Sequence, residues 1–388
     1  MRGDLGNPRM LRVLNERRLL DHLQEHGPAS RTDLAKITGL SKPTVSAALA
    51  GLEVDGLVHL VGEVSGRPGP VTSLYDVNAA ATHVAGVDIG RDWIRVAVAD
   101  LRGKFAGRRD GRNTALTSAE LALLVGQLCR AAAYEAGVDW PDIACAVVGT
   151  PGVYDPELGR LEFAPNLPGS DLAERLRAEM EVDLVIENDI NLAAVGEHTH
   201  GAGRGTSNFA LVSVGTGVGM GIVINGELYV GARGAAGEVS YLPATEDPAP
   251  PAGDALAHGA TEAVAAAPGV VRAARAAGLS LRTAKKVFAA AASGDRVARS
   301  VVEAEGRRIG GLLVAVAAVL DPEVIVLSGG VGRNLDLLGE SIEARIAELG
   351  PLRPSVVAST LGDSGVLLGA VARARTRAWE LIFDARLP

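Results

Sequence analysis

The stretch from Ser213 to Tyr241 constrains the fold more than any other part of this chain, and it reads SVGTGVGMGIVINGELYVGARGAAGEVSY. Apolar runs flank Asn225-Gly226, a dipeptide typical of tight hairpins because both central residues of the favoured turn need positive φ. The glycines of Gly215 to Gly219 lack Cβ atoms, so several backbone N–H groups can face one anion, as in phosphate-binding loops. The same glycines would equally serve tight turns between strands. The stretch therefore predicts a hairpin beside a pocket and leaves the content of that pocket open.

The composition favours helices packed on sheets through small side chains. The chain has 388 residues, which suits two or three domains; hydrophobic residues make up 47% and aromatic residues only 3%. Ala, Val, Leu and Gly must then fill the interior. The formal net charge of -8 argues against simple electrostatic coating of nucleic acid. Residues 1–76 contain nine Lys/Arg and nine Asp/Glu, so the negative charge belongs to the rest of the chain.

Several features predict a cytoplasmic protein without a membrane partner. The opening MRGDLGNPRM lacks the apolar region of a signal peptide, and the longest apolar run, residues 310–320, is too short to span a bilayer. The two cysteines, Cys129 and Cys145, lie in apolar surroundings. They predict buried, reduced thiols rather than a disulfide framework.

The first part of the chain carries the pattern of three short helices. The first begins at Asn15 and ends at Gly27-Pro28, the second follows Ser30 and ends at Gly39, and the third opens at Ser41. Helices two and three, joined by a tight turn, predict a helix-turn-helix. The apolar positions are Leu19, Leu20 and Leu23 in the first helix, Leu34, Ala35 and Ile37 in the second, and Val45 and Leu49 in the third.

Two strand-like runs after the third helix, joined by GEVSGRPGP, predict a wing. Arg67 lies in this connection, where it is narrow enough to enter a DNA minor groove. The start of the third helix faces base edges in such a domain. A three-helix domain for protein contacts is the alternative, but helix order, turn, cap and wing agree on DNA binding. The predicted DNA-binding residues are Arg31, Ser41, Lys42, Thr44, Ser46 and Arg67.

From Ala85 onward, strands and helices alternate. GVDIG and WIRVAVADLRG predict two strands around a turn at Gly90-Arg91-Asp92, and further strands are predicted at residues 144–149, 182–186 and 324–328. Strand-rich segments start at both Ala85 and Ala210, each with a glycine turn between strands. This repetition predicts a duplicated lobe with a cleft between the copies.

The whole chain resembles the ROK family (repressors, open reading frames and sugar kinases), specifically its transcriptional regulators. The matching segments are GVDIG with AVADLRG, GTPGVYD, ENDINLAAVGE, GTGVGMGIVINGELYVGARGAAGE and VIVLSGGVG. The resemblance implies an α/β fold, with a winged helix-turn-helix in residues 1–78. Residues 79–388 would form a two-lobed actin-like, sugar-kinase-like domain of the ribonuclease H-like type.

The resemblance also implies roles for four polar residues. Asp189 matches the general base of the family's sugar kinases, which accepts a proton from the attacking sugar hydroxyl. Asn188 beside it, Glu238 in the Gly-Glu segment and Glu262 in TEAVA match sugar-binding residues. Two alternatives stay open at this stage: Asp189 as a helix N-cap, and Glu262 as a solvated surface residue.

A departure from the family pattern argues against a nucleotide-dependent enzyme. The kinases' first phosphate loop reads D-x-G-G-T, whereas this chain has Asp88-Ile89-Gly90-Arg91-Asp92, and a carboxylate at Asp92 would repel a phosphate. ATP binding is therefore doubtful, although the other two loops keep their form. Their nucleotide-binding candidates are Gly215, Thr216, Gly217, Gly329 and Gly330.

The family's zinc site is also missing. It uses one histidine and three cysteines, the nitrogen and sulfur ligands that tetrahedral zinc prefers. The corresponding positions here are Tyr241, Gly253, Ala255 and Ala260, and no cofactor is expected. His258 in the same segment is expected at the surface.

These observations predict a transcriptional regulator, expected to be a repressor, that binds double-stranded operator DNA and responds to a sugar or sugar derivative. A homodimer or homotetramer is expected, because such DNA-binding heads read paired half-sites. Two alternatives remain: a sugar kinase that uses Asp189 as base, and a regulator without a small-molecule ligand.

Overall fold

The computed structural model describes residues 8–64, 72–155, 160–162, 171–243, 253, 255 and 258–387. Its first part is a winged helix-turn-helix, in which three helices pack beside a small antiparallel sheet of order β1-β3-β2. The elements are α1 (Pro8–His26), β1 (Ala29–Ser30), α2 (Arg31–Thr38), α3 (Lys42–Val54), β2 (Val58–Val64) and β3 (Thr72–Val77).

Local capping explains the boundaries of α2 and α3, as predicted. Ser30 caps α2 in a reciprocal capping box with Asp33, and Ser41 accepts the backbone N–H of Thr44 at the start of α3. Gly39 ends α2 in the left-handed conformation at φ 71°, which glycine adopts without steric cost. The predicted wing strands are confirmed, while most of the connection between them lies outside the described residues.

Two details of the predicted helices were wrong. The first helix starts at Pro8, not at Asn15, and Val13 in its added turns is buried in the core. Ile37 was predicted to be apolar core but is 57% exposed. Thr38 takes the buried position instead, because its hydroxyl can donate to the carbonyl oxygen of Leu34 at 2.6 Å and so satisfy itself inside the helix.

The remainder forms two lobes, each built on a five-stranded mixed sheet. The strands of the first lobe are β4 (His83–Ile89), β5 (Trp93–Asp100), β6 (Phe105–Arg112), β7 (Ile143–Thr150) and β10 (Asp183–Asn188), with a separate hairpin of β8 (Val153–Asp155) and β9 (Arg160–Glu162). Those of the second lobe are β11 (Phe209–Val214), β12 (Val218–Ile224), β13 (Glu227–Leu228), β14 (Val324–Ser328) and β15 (Val356–Ala358). The helices are α4 (Ser118–Ala136), α5 (Leu172–Met180), α6 (Asp189–His200), α7 (Ala260–Ala265), α8 (Ala267–Ala276), α9 (Ala284–Ala292), α10 (Arg296–Leu320), α11 (Gly329–Gly332), α12 (Leu335–Leu349) and α13 (Gly365–Asp384).

The two sheets share one topology, which confirms the predicted duplication. Their strand orders are β10-β7-β4-β5-β6 and β15-β14-β11-β12-β13. In each sheet the first two pairings are parallel and the last two are antiparallel. Asn225 and Gly226 both have positive φ, at 55° and 79°, so the predicted hairpin turn is confirmed. Its return strand is short, because only Glu227 and Leu228 pair with β12.

Helices α6 and α13 lie against each other between the lobes. Helix α13 packs on β4 and β7 of the first sheet, and α6 packs on β11 and β12 of the second. Glycines let their backbones meet: a Cβ at Gly196 would lie 2.2 Å from the carbonyl oxygen of Gly365, and one at Gly369 would lie 1.8 Å from that of Leu192. At these glycines the backbones of the two helices are in contact, and no side chain can lie between them.

The two cysteines are buried free thiols, as predicted, and burial raises the pKa of both to about 12. Among the described helices, none combines the length and the apolar character that crossing a bilayer requires.

Candidate functional site

A cavity of about 1380 Å³ lies between the two lobes. The N-terminus of α6 contributes Asn188, Asp189 and Ile190 to its lining, and the start of α13 contributes Val366. The glycine turns of the second lobe line its other side. Because both sheets direct their loops into this space, movement of one lobe against the other changes its shape.

Asn188, rather than Asp189, is the N-cap of α6. The side-chain oxygen of Asn188 accepts the backbone N–H groups of Ile190 and Asn191 at 2.9 and 3.1 Å, and its amide nitrogen donates to the carbonyl oxygen of Gly152 at 3.0 Å. The alternative of Asp189 as cap was therefore wrong. Since the cap is supplied by its neighbour, the carboxylate of Asp189 is left to face the cleft.

The pKa of Asp189 is raised to about 7, first because the group is buried and next because Asp88 and Glu238 add negative charge nearby. Such a group is half protonated near neutral pH. It can accept a hydrogen bond from a hydroxyl when ionised and donate one when protonated.

Glu238 and Glu262 approach the same part of the cleft from the second lobe. Glu262 accepts the backbone N–H of Val218 at 2.9 Å, which holds it against the turn after β11, so the alternative of a solvated surface residue was wrong. Burial raises the pKa of both glutamates, and Glu262 raises that of Glu238 further. Tyr241 lines the cavity beside them; burial raises its pKa, and the same two carboxylates raise it further. This end of the cleft is rich in hydrogen-bond acceptors.

Replacing Asp189 with asparagine is expected to stabilise the protein at alkaline pH. The pKa of Asp189 rises from 3.8 to about 7 on folding, so the folded state holds the proton more tightly and stability falls as pH rises through this window. We expect Asp189→Asn to raise the free energy of unfolding by about 1–2 kcal/mol at pH 8, discounted for solvent in the cleft, and by less at pH 5. Denaturant unfolding at both pH values measures this. Asp139→Asn, at an exposed position, is the control, and equal effects at both pH values would contradict the prediction.

An ion pair within the chain lies in the cleft at the position of the kinases' first phosphate loop. Asp88 on β4 is only 6% exposed, and Nη1 of Arg95 contacts its Oδ2 at 3.0 Å. Burial raises the pKa of Asp88 to about 6, and Arg95 partly offsets this. The second guanidinium nitrogen of Arg95 lies 4.0 Å from Asp363, which also pairs with Arg333 of the second lobe at 3.5 Å.

Arg95 was not predicted as part of this site, and the unfavourable charge was predicted at Asp92, an exposed turn residue. A signal was available, because Arg95 is the one cation in the strand WIRVAVAD, in which every other residue before Asp100 is apolar. In the antiparallel register it lies directly opposite Asp88. Such cross-strand pairs of opposite charge stabilise sheets.

The candidate nucleotide-binding residues Gly215, Thr216, Gly217, Gly329 and Gly330 all line the cleft. Two N–H groups of the first turn are already used within the protein: that of Gly215 donates to Gly217, and that of Val218 donates to Glu262. Gly329 has φ 80°, and a Cβ there would lie 2.4 Å from the carbonyl oxygen of Val214. Gly329 is thus required by close backbone packing, and binding of an anion by the five candidate residues stays a prediction.

The residues at the family's zinc positions do not fit a zinc ion, since Tyr241, Gly253, Ala255 and Ala260 supply neither thiolate nor imidazole. In the part of the chain that the structure describes, no three His, Cys, Asp or Glu side chains are grouped closely enough to bind a metal. His258 is partly exposed, with its ring 3.8 Å from Glu262.

The start of α3 presents small polar groups and a cation. Ser41 and Lys42 are exposed, Thr44 and Ser46 are partly exposed, and Val45 points into the core. The hydroxyls of Ser41 and Thr44 lie 2.8 Å apart. This arrangement suits a helix whose first turn enters a major groove.

The outcome differs for two other predicted DNA-binding residues, Arg31 and Arg67. Arg31 lies over the ring of Tyr75 with 4.9 Å between its guanidinium carbon and the ring centroid, and it also donates to the Tyr75 hydroxyl. The guanidinium is therefore directed onto β3. Arg67 lies outside the described residues.

Fold and cleft together define a class of protein: a winged-helix DNA-binding domain joined to a two-lobed sugar-kinase-like domain. Residues 84–377 match the ROK family and residues 13–67 match the MarR family. The chain belongs to the ROK family.

The relatives include both enzymes and repressors. A glucokinase of Halalkalibacterium halodurans is 33% identical over 246 residues, which cover 57% of this chain and 73% of that protein. A xylose repressor of Caldicellulosiruptor bescii is 25% identical over 396 residues, covering 95% and 97%. With three further repressor relatives, the alignment spans 60 to 62% of their length.

Among solved structures, a ROK family transcriptional regulator described as a homologue of the E. coli MLC protein superposes with a TM-score of 0.80 at 21% identity. The match covers 97% of this chain and 98% of that one, and at this identity it establishes the shared fold.

Proposed function

We propose that this protein is a transcriptional repressor of carbohydrate-related genes whose cleft binds a sugar or sugar derivative and thereby changes its affinity for operator DNA. One contrast within the cleft carries the proposal. The acceptor-rich group of Asp189, Glu238 and Glu262 suits sugar hydroxyls, whereas the place of the first phosphate loop beside it holds the Asp88–Arg95 ion pair. A repressor that covers nearly the whole chain in alignment supports the same function.

In this function Asn188, Asp189, Glu238 and Glu262 contact the sugar, while the start of α3, together with Arg67, contacts DNA. We infer a homodimer or homotetramer, because an operator has two half-sites and each half-site binds one winged-helix domain. We also infer a cytoplasmic protein, because a repressor must reach its operator DNA.

The test is a titration of the purified protein against the DNA upstream of its own gene, with and without D-xylose, N-acetyl-D-glucosamine or D-glucose. We expect specific binding at moderate salt and a 5- to 150-fold change in affinity with one of these sugars or a derivative, roughly the usual range of coupling between two sites. Absence of a specific complex would reject the regulator. Specific binding that no ligand changes would favour a regulator without a small-molecule ligand.

A sugar kinase is the second candidate, because a carboxylate with a pKa of about 7 is well placed to act as a general base near neutral pH. The similarity to a glucokinase agrees with it. A coupled assay for ADP release with the same sugars decides the question. Turnover that is lost in Asp189→Asn would establish kinase activity, and we expect no turnover above background.

Replacing Lys42 with alanine is expected to weaken operator binding about equally for different sequences. An exposed lysine at the start of α3 suits a phosphate contact, so the slope of log affinity against log salt should become shallower by about one. Fluorescence anisotropy at several salt concentrations measures both effects. Lys104→Ala, in an exposed turn of the first lobe, is the control. An unchanged slope in Lys42→Ala would exclude the contact.

A further inference from the structure

Helix α13 joins the cleft to the winged helix. Just before its first turn, Asp363 lines the cavity, and Val366 within that turn does the same. At its other end, Phe383 is 4% exposed and belongs to the hydrophobic core that contains Leu19 and Leu49 of the winged helix. The guanidinium of Arg17 on α1 lies 5.4 Å from the centroid of the Phe383 ring. One rigid element of 20 residues therefore contacts both functional parts.

At the cleft end, α13 is fitted to α6, the helix that begins with Asp189. The glycine contacts at Gly196 and Gly369 bring the two backbones together. A shift of α6 that follows occupancy of the cleft cannot be absorbed by side-chain rearrangement at these positions, so α13 must move with it.

At the far end, Arg386 holds the winged helix at two points. Its guanidinium pairs with Glu16 of α1 at 3.4 Å and with Asp55. Asp55 is the C-cap of α3, the helix whose start presents the predicted DNA contacts. Glu16 and Arg386 are only 3% and 17% exposed, so this contact is less screened than a surface ion pair.

We propose that α13 transmits the ligand state of the cleft to the DNA-binding helix, through its contact with α6 at one end and through Arg386 on Asp55 and Glu16 at the other. The inference rests on the proposed function and adds the route of regulation. In this proposal Arg386 acts as a coupling residue and touches neither sugar nor DNA.

The test compares Arg386→Gln with wild type in the full-length protein, using whichever of D-xylose, N-acetyl-D-glucosamine or D-glucose shifts wild-type operator binding most. We expect the sugar-induced change in operator affinity to fall below about 3-fold, from a wild-type change of roughly 5- to 150-fold. Sugar affinity, measured by calorimetry, should stay within about 2-fold. Arg353→Gln is the matched control, since the acceptors of Arg353 among the described residues are nearby backbone carbonyl oxygens.

Asp55→Asn breaks the same contact from the other side and should uncouple in the same way. Asp55 is 49% exposed, so this variant is expected to fold even if Arg386→Gln does not. Asp139→Asn is its control. If the variants show the same sugar-induced change in operator affinity as wild type, the inference is overturned and the proposed function is left intact. The same holds if the change is lost only because the variants no longer bind the sugar. A wild-type protein without specific operator binding would overturn both.

Discussion

Replacing Leu49 with alanine is expected to destabilise the winged helix by about 3 kcal/mol and to abolish operator binding. Leu49 is fully buried on α3, in a core with Leu20, Leu34 and Leu52. Truncating such a leucine removes its transfer free energy and leaves a cavity, which together cost about 2–5 kcal/mol. The helix that carries the DNA contacts would then lose its fixed position on α1.

Native-state hydrogen exchange of the α3 amides measures this effect locally, which suits a protein of several units. A loss of about 3 kcal/mol corresponds to exchange that is faster by about 100-fold. Val54→Ala is the control on the same helix, because Val54 is 87% exposed and its truncation should cost less than about 0.5 kcal/mol. Similar exchange in the two variants would contradict the assignment of Leu49 to the core.

Replacing Glu238 with glutamine is expected to weaken sugar binding by about 10- to 100-fold. Glu238 lines the cleft from the second lobe, where burial and the neighbouring Glu262 raise its pKa. Hydrogen bonds to a charged group contribute about 1.5–3 kcal/mol, and the amide keeps the shape of the side chain while losing the charge. The loss should appear in sugar affinity and leave operator binding without sugar unchanged.

Calorimetry with the sugar that shifts operator binding tests this expectation. Glu303→Gln, an exposed carboxylate on α10, is the matched control and should bind sugar as wild type does. If Glu238→Gln binds the sugar with unchanged affinity, the ligand contacts another part of the cleft. If it also loses operator binding in the absence of sugar, Glu238 supports the fold rather than the ligand.

Local chemistry explains why much of the fold could be predicted. The caps at Ser30 and Ser41 and the turn at Asn225-Gly226 each depend on residues a few positions apart, and all three formed as expected. The repeated glycine turns indicated two related lobes, because they too depend on residues a few positions apart. Predictions failed where a neighbour competed, as when Thr38 rather than Ile37 entered the core.

The site was less accessible to such reasoning. The family resemblance was enough to single out Asp189 and Glu238. It did not show that Asn188 caps α6, which leaves the Asp189 carboxylate facing the cleft. The partner of Asp88 depends on strand register, which pairs it with Arg95. Sequence patterns describe neighbours along the chain, whereas these contacts arise between elements.

By itself, the sequence determined the family, the order of the domains, the caps and turns, and the loss of the zinc ligands, because each follows from short segments and residue types. Only the tertiary structure decided how the cleft is charged and what connects it to the DNA-binding helix. Arg386 and Asp55 lie at opposite ends of the chain, and Gly369 meets Leu192 across two helices. Such contacts exist only after the lobes have packed, since packing is what brings distant residues within reach of each other.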